Sequence, residues 1–369
     1  MGAKGLTYQE LNQLFKENNF PEIEQNEKGL RFLKVRSLSR GKLLDQLFKK
    51  YSMVPPQKKL EWPNFVFESN ITDEQLNEFI VECYRAERGE RVKIEDDLID
   101  QLIRMKVFDW GGSFQNSLEK HIVDQYVKRY WQFDQISQAI AEPIQESVKG
   151  YTLNSWYNHW SSILIEDIFK EIPGILPAVG RIEKVDFFIN DIPFDLKVTY
   201  FPDELMKAEL KKRGFGVELT RVKKKCRELK IFIPTDLSDK SLLIHLYNKL
   251  CEDGRAKDFI DELNGLKKQI IRDYEKAPQK LKVWLYENQG EKRFDASNRL
   301  FLVLTDENNF FNSWKLKCQI PFLREQIKAH MGKLLLDPKA LTTKFYWKKT
   351  GQDFVCKSGI IFINKTQER

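Results

Sequence analysis

Over roughly the first hundred residues, apolar side chains recur every three or four positions in short bursts separated by polar loops, which is the spacing of amphipathic helices. The pattern predicts helices over 7–18 (Leu11, Leu14 and Phe15 on one side), 41–51 (Leu43, Leu44, Leu47, Phe48), 73–88 and 94–107. Pro55-Pro56 follows the second, and Thr72 with Gln75 three residues on reads as a capping box for the third. Asp109-Trp110-Gly111-Gly112-Ser113 interrupts the pattern, so the chain divides into a helical N-terminal region, 1–110, and a larger region, 111–369. Helices are expected next at 113–131, 133–148 and 154–171, the last ending at Pro173-Gly174. The period then changes to two over 182–189 and 192–199, the alternation of strands. A short strand at 230–234, helices at 239–252, 255–273 and 277–289 (stopped by Gly290), a strand buried on both faces at 300–305, a helix at 321–336 and a hairpin around Gly351 complete the reading. Strands interleaved with helices make the second region α/β.

The 184–199 segment carries the chemistry. With Asn190-Asp191 as a two-residue loop, a composition suited to positive φ angles, residues 189, 188, 187 and 186 face 192, 193, 194 and 195. One face then holds Val185, Phe187, Ile189, Ile192, Phe194, Leu196 and Val198. The other holds Asp186, Phe188, Pro193, Asp195, Lys197 and Thr199. A one-residue slip would bury the charges, so the alternation sets the register. Asp186 and Asp195 come opposite each other, with Cβ atoms about 5 Å apart. Two carboxylates at that separation repel unless a cation lies between them, and Mg²⁺ prefers such oxygen ligands. Lys197 points the same way as Asp195, about 7 Å further along. Metal, carboxylates and ammonium in one volume suit hydrolysis of a phosphodiester. The bare spacing of acid, any residue and lysine also occurs at Glu209, Glu228 and Asp337, so it carries weight only at Asp195, where a second acid lies on a paired strand.

Charge adds a partner to this picture. The net charge is +7, and residues 205–230 contain ten basic and three acidic side chains, so the whole positive excess sits in that window. A polyanion is the natural partner, and a solvated helix face is the plainer alternative. Composition removes other classes. At 41% hydrophobic and 31% charged the chain can bury a core and is not disordered. No apolar run is long enough to cross a membrane, and no apolar leader opens the chain. Five scattered cysteines without metal-ligand spacing read as reduced thiols of a cytoplasmic protein. The four histidines make no dyad, and Gly214-Phe215-Gly216 lacks the third glycine and leading strand of a dinucleotide loop.

Asp186 followed by Asp195-Leu196-Lys197, flanked by Phe194 and Val198, resembles the PD-(D/E)xK nuclease superfamily. The motif spans some fifteen residues, and the order of elements is similar over about 155–305. Val185 stands where many members have proline, and the second acid is aspartate where glutamate is also common. The resemblance implies a restriction-endonuclease-like fold, a mixed β-sheet core flanked by helices. It implies Mg²⁺, for which Mn²⁺ can substitute, bound by Asp186, Asp195, the Leu196 carbonyl and Glu166, the acid expected on the helix before the hairpin, with Asp167 as its rival. Lys197 would assist the attacking water, and hydrolysis would leave a 5′-phosphate and a 3′-hydroxyl. The implied protein is a type II restriction enzyme of a bacterium or archaeon. Its substrate would be double-stranded DNA, it would act as a homodimer, and a DNA methyltransferase would protect the same site. Lys211, Lys212, Arg213, Arg221, Lys223, Lys224 and Lys225 would lie along the DNA backbone, and the N-terminal region would read sequence or dimerise. A less specific defence or repair nuclease and a catalytically inactive DNA-binding protein are the alternatives.

Overall fold

A computed structural model describes residues 5–366 apart from 40–41, 113–116, 181, 183, 236, 289–297, 337–340 and 348–350. The N-terminal helices are α1 (Tyr8–Lys16), α2 (Phe20–Gln25), α3 (Gly29–Leu38), α4 (Leu43–Lys50), α5 (Trp62–Glu68), α6 (Asp73–Val92) and α7 (Glu95–Ile103). Capping boxes open α1 (Thr7 with Glu10) and α6 (Thr72 with Gln75), the second as the spacing predicts. The pattern missed α2, α3 and α5. In α3 even Lys34 and Ser37 are buried, so the helix shows no polar stripe, and the other two are too short to display a period.

After α8 (Leu118–Ile122) and a π-helical turn at Val123–Val127 come α9 (Phe133–Ala139), a second π turn at Ile140–Ile144 that contains Pro143, and the 26-residue α10 (Gln145–Lys170). The helix expected at 113–131 is thus described only from Leu118, and its Ser113 cap lies outside the described residues. The break expected between 148 and 154 does not occur. Gly150 lies within α10 where the helix crosses the 109–110 segment: a Cβ there would lie 2.9 Å from the Trp110 Cα. Leu98, Ile99, Met105 and Phe108, which flank the expected boundary near 110, pack into the same core as α10.

The sheet consists of β1 (Ile175–Pro177), β2 (Phe187–Ile189), β3 (Ile192–Tyr200), β4 (Arg299–Asp306), β5 (Thr342–Trp347) and β6 (Gln352–Lys365), in the order β1-β2-β3-β4-β6-β5. The first three run antiparallel, β3, β4 and β6 are mutually parallel, and β5 closes the far edge antiparallel to β6. Between β3 and β4 lie α11 (Asp203–Lys212), α12 (Glu218–Glu228), α13 (Asp239–Glu252), α14 (Lys257–Lys276) and α15 (Pro278–Asn288). After β4 come a 3₁₀ segment, Phe310–Cys318, and α16 (Ile320–Leu336). The fold is therefore mixed α/β, a six-stranded sheet with helices on both faces. β4 is buried on both sides, as its unbroken apolar run requires. Leu300, Leu302 and Leu304 face the core formed with α10 and α16, while Phe301 and Val303 face the core formed with α11–α15. Gly290 lies outside the described residues, whereas Gly351 turns the β5–β6 hairpin with φ +68°.

Two strand expectations need correction. Only Phe187–Ile189 of 182–189 is strand, and Val185 joins the opposite core, with Phe188, Ala178 and Ile182 against α1–α3. Residues 230–234 are not a strand. Lys230, at φ 58°, ends α12 in a left-handed cap, with the Ile231 N–H donating to the Cys226 carbonyl. Ile231 and Ile233 do turn inward while Phe232 is exposed, so the alternation is real, but the segment pairs with no strand.

Candidate active site

The hairpin forms in the register its alternation dictates. Asn190 and Asp191 adopt φ 48° and 63°, and the pairs are Phe187 with Phe194, Phe188 with Pro193 and Ile189 with Ile192. The Lys34 ammonium, buried beneath the N-terminal helices, lies 3.3 Å from the Asp191 carboxylate and ties down the turn. The regular ladder then stops one pair short of Asp186 and Asp195. The Asp186 N–H donates to the Phe194 carbonyl at 2.8 Å, and an Asp186 carboxylate oxygen accepts the Leu196 N–H at 2.7 Å. The Asp195 N–H turns the other way, to the Asn298 carbonyl at 2.9 Å. β3 thus changes neighbours at Asp195. From there to Tyr200 it has β4 on one side and, among the described residues, no strand on the other.

Beside this open half of β3 lies a cleft of about 1780 Å³. Small-molecule pockets run from roughly 300 to 1,000 Å³, so this volume suits part of a larger molecule. Asp186, every β3 residue from Asp195 to Tyr200, and Asn158, Ser162 and Glu166 of α10 line it. The last three recur every four residues and form one stripe along the helix. Glu166 is the acid brought to the cleft. Its neighbour Asp167 points the opposite way, where the Arg91 guanidinium takes both its oxygens at 2.8 Å and the Tyr84 hydroxyl donates to it.

Three carboxylates share the floor. Burial, then the charges of Glu166 and Asp195, push the Asp186 carboxyl up to about 7, against the Leu196 N–H and the Lys170 ammonium, which pull it down. Lys170 pairs with Glu166 at 3.2 Å, and the buried Arg299 pairs with Asp195 at 3.2 Å. Lys197 is half-buried, and among the described residues no carboxylate lies within ion-pair distance of it. No three His, Cys, Asp or Glu side chains among the described residues form a ready metal cage. The donors still fit Mg²⁺, which keeps most of its water and needs only one or two carboxylates plus substrate oxygens. Asp186 and Asp195 supply those, and their mutual repulsion is what a divalent ion relieves.

The basic window separates in space. Lys211, with Lys207, lines the cleft; Lys212, Arg213, Arg221, Lys223, Lys224 and Lys225 do not. Arg213 pairs with Asp273 at 2.7 Å, Lys212 with Glu209 at 3.8 Å and Lys225 with Glu228 at 3.6 Å, and Arg221 lies over Phe215. Cleft cations come instead from places with no charge run: Lys106 after α7, Lys240 at the start of α13, and Lys315 and Lys317 in the 3₁₀ segment. Nothing in the sequence around Lys317 marks it. His159 is exposed against Trp160 and does not line the cleft. No helix of the described residues is long and apolar enough to cross a membrane. No protein-family model, curated protein or solved structure matches the chain.

Proposed function

We propose that the chain is a Mg²⁺-dependent DNA endonuclease of the PD-(D/E)xK kind, most simply a type II restriction enzyme that cuts double-stranded DNA. The observation that carries this reading is the convergence of Glu166, Asp186, Asp195 and Lys197 in the lining of a polymer-sized cleft, with three acids crowded beside a lysine that no carboxylate of the described residues pairs with. The order of a helix before the hairpin, helices after the lysine-bearing strand and a further strand extending the sheet also agrees with the resemblance.

Asp186 and Asp195 would hold the ion. Asp186 is oriented by the Leu196 N–H and Asp195 by Arg299, so neither carboxylate is free to turn away. When bound, Mg²⁺ supplies charge neutralisation at the phosphate and acidifies a water. Glu166, steadied by Lys170, adds negative field on the α10 side. Lys197 donates to a phosphate oxygen or holds the attacking water, and its positive charge favours the extra negative charge of the transition state. Products would be a 5′-phosphate and a 3′-hydroxyl. One such centre per chain implies two copies for a double-strand cut. A methyltransferase modifying the same sequence would be the cellular counterpart.

Purified protein is incubated with unmethylated plasmid and phage DNA, in Mg²⁺ or in EDTA, beside Lys197→Ala. Discrete Mg²⁺-dependent fragments that the variant fails to produce are the expected result. A smear would assign the less specific nuclease. No cutting of either DNA with binding retained would assign the inactive DNA-binding protein and overturn the catalytic reading.

A further inference from the structure

The cleft has two chemically different ends. Along α10 the lining stripe runs from Glu166 through Ser162 to Asn158, about 12 Å at 1.5 Å per residue. Along β3 the lining runs from Asp195 to Tyr200, about 17 Å. Both lines begin among the carboxylates and finish at Lys317. This lysine is 5% exposed, its ammonium donates to the Asn158 side-chain oxygen at 2.9 Å, and it lies 5.7 Å from the centre of the Tyr200 ring.

Two other buried lysines meet an acid, Lys267 at Glu218 (2.6 Å) and Lys34 at Asp191, while Lys282 donates to the Ser358 carbonyl at 3.0 Å away from the cleft. Lys317 has only neutral partners, and among the described residues no carboxylate lies within ion-pair distance of it. Burial, and then the neighbouring Lys197 ammonium, pull it down to about 8, the response of a cation with no counter-charge. The Tyr200 hydroxyl, also buried in the lining, has no hydrogen-bond partner among the described residues. An ammonium with N–H groups to spare and an unengaged phenol, with no acid among them, recognise an anion.

We infer that Lys317, positioned by Asn158 and joined by the Tyr200 hydroxyl, forms a second anion subsite that takes a backbone phosphate a few nucleotides from the one at the Asp186, Asp195 and Lys197 centre. The inference rests on reading the cleft as a phosphodiester site and adds the direction in which the strand lies, from the carboxylate floor along β3 towards Tyr200. Phosphates follow one another every 3.4 Å of helix axis on each strand, so the 12–17 Å span reaches a different phosphate from the scissile one. Lys317 is thereby a substrate-positioning residue whose loss is felt first in binding.

The test is DNA binding by the whole chain in EDTA, comparing wild type with Lys317→Met and Lys317→Arg. The DNAs are duplexes in which one phosphate at a time is replaced by a neutral methylphosphonate. Lys317→Met should weaken binding by about tenfold or more and reduce the slope of log affinity against log salt by about 0.9. Lys317→Arg should restore much of that loss. One methylphosphonate position should weaken wild-type binding while costing Lys317→Met nothing further, which a merely structural lysine would not produce. Removing a buried uncompensated charge should leave the thermal midpoint of Lys317→Met unchanged or raised. Binding and salt slope equal to wild type, or no position at which the two losses fail to add, would overturn the subsite alone. DNA binding that shows this pattern without any Mg²⁺-dependent cutting would overturn the nuclease reading and keep the subsite. A chain that binds no DNA would overturn both.

Discussion

Glu166 and Asp167 are adjacent on α10 and belong to opposite kinds of environment. Asp167, 1% exposed, faces α6, where Arg91 grips it, Arg88 lies 3.8 Å away and Tyr84 donates to it. Arg88 also reaches Glu95 and Glu171, each at 2.5 Å, and Arg324 of α16 pairs with the same two glutamates. Each acid there meets a guanidinium, and the junction of α6, α7, α10 and α16 is locked by charge. One residue away, Glu166, paired with Lys170, crowds Asp186, which among the described residues has no ion-pair partner and whose carboxyl is pushed up by burial and by the charges of Glu166 and Asp195. Compensation marks charges that hold the fold, whereas carboxylates crowded in a cleft are candidates for function.

Substitutions on the two sides of α10 should therefore read out differently. On the cleft side, Lys197→Ala and Asp195→Asn should lower cleavage by at least about 100-fold with most DNA binding retained. A wild-type cutting rate in either, by plasmid assay, would remove the site assignment. On the locked side, Arg91→Ala leaves Asp167 buried without its bidentate partner and should cost about 3 kcal/mol of stability by urea unfolding, with cleavage per folded molecule unchanged. An unchanged midpoint would mean that Arg88 alone neutralises Asp167. Glu166→Gln should reduce cleavage about tenfold, a loss within the usual range for a residue that supports a metal-binding group, and should not destabilise the metal-free protein at neutral pH. A stability loss there would class Glu166 with Asp167.

The smallest effect asks whether a raised pKa marks function by itself. Burial pushes Glu24 of α2 up to about 7 although Asn298 donates to it at 2.7 Å, yet Glu24 does not line the cleft. Its protonated form is favoured by folding, so its contribution is fully present below about 4.5 and is lost as pH rises through about 7. Glu24→Gln should flatten the decline of the thermal midpoint between those values and leave cleavage unchanged. A cleavage loss would instead place Glu24 in the workings of the site.

The hairpin was legible because three independent constraints coincide there: strict alternation, a loop of two residues that tolerate positive φ, and charges that only one register keeps out of the core. Glu166 could be distinguished from Asp167 only through the motif it accompanies, since both have Ile and Phe close behind them on the same helix. The expected pairing of Asp186 with Asp195 is not part of the ladder, because at Asp195 β3 leaves β2 for β4, a strand roughly a hundred residues away whose pairing no local pattern encodes. The basic window was only partly legible for a related reason. A charge run shows sign but not partners, and Glu209, Glu228 and Asp273 pair with Lys212, Arg213 and Lys225 of this one. Lys317 carries no local mark because its meaning comes from Asn158 and Tyr200, brought to it by the fold.

The distance along the chain between β3 and its partner also orders events in time. A ribosome adding about 5–20 residues per second needs several seconds to pass from Lys197 to Arg299 and Lys317. Throughout that interval the nascent protein carries the acidic hairpin without the guanidinium that braces Asp195 or the ammonium at the far end of the cleft. The cleft floor is assembled from both ends of this long crossover, so a chain truncated anywhere between β3 and β4 lacks Arg299 and Lys317 and cannot complete the cleft.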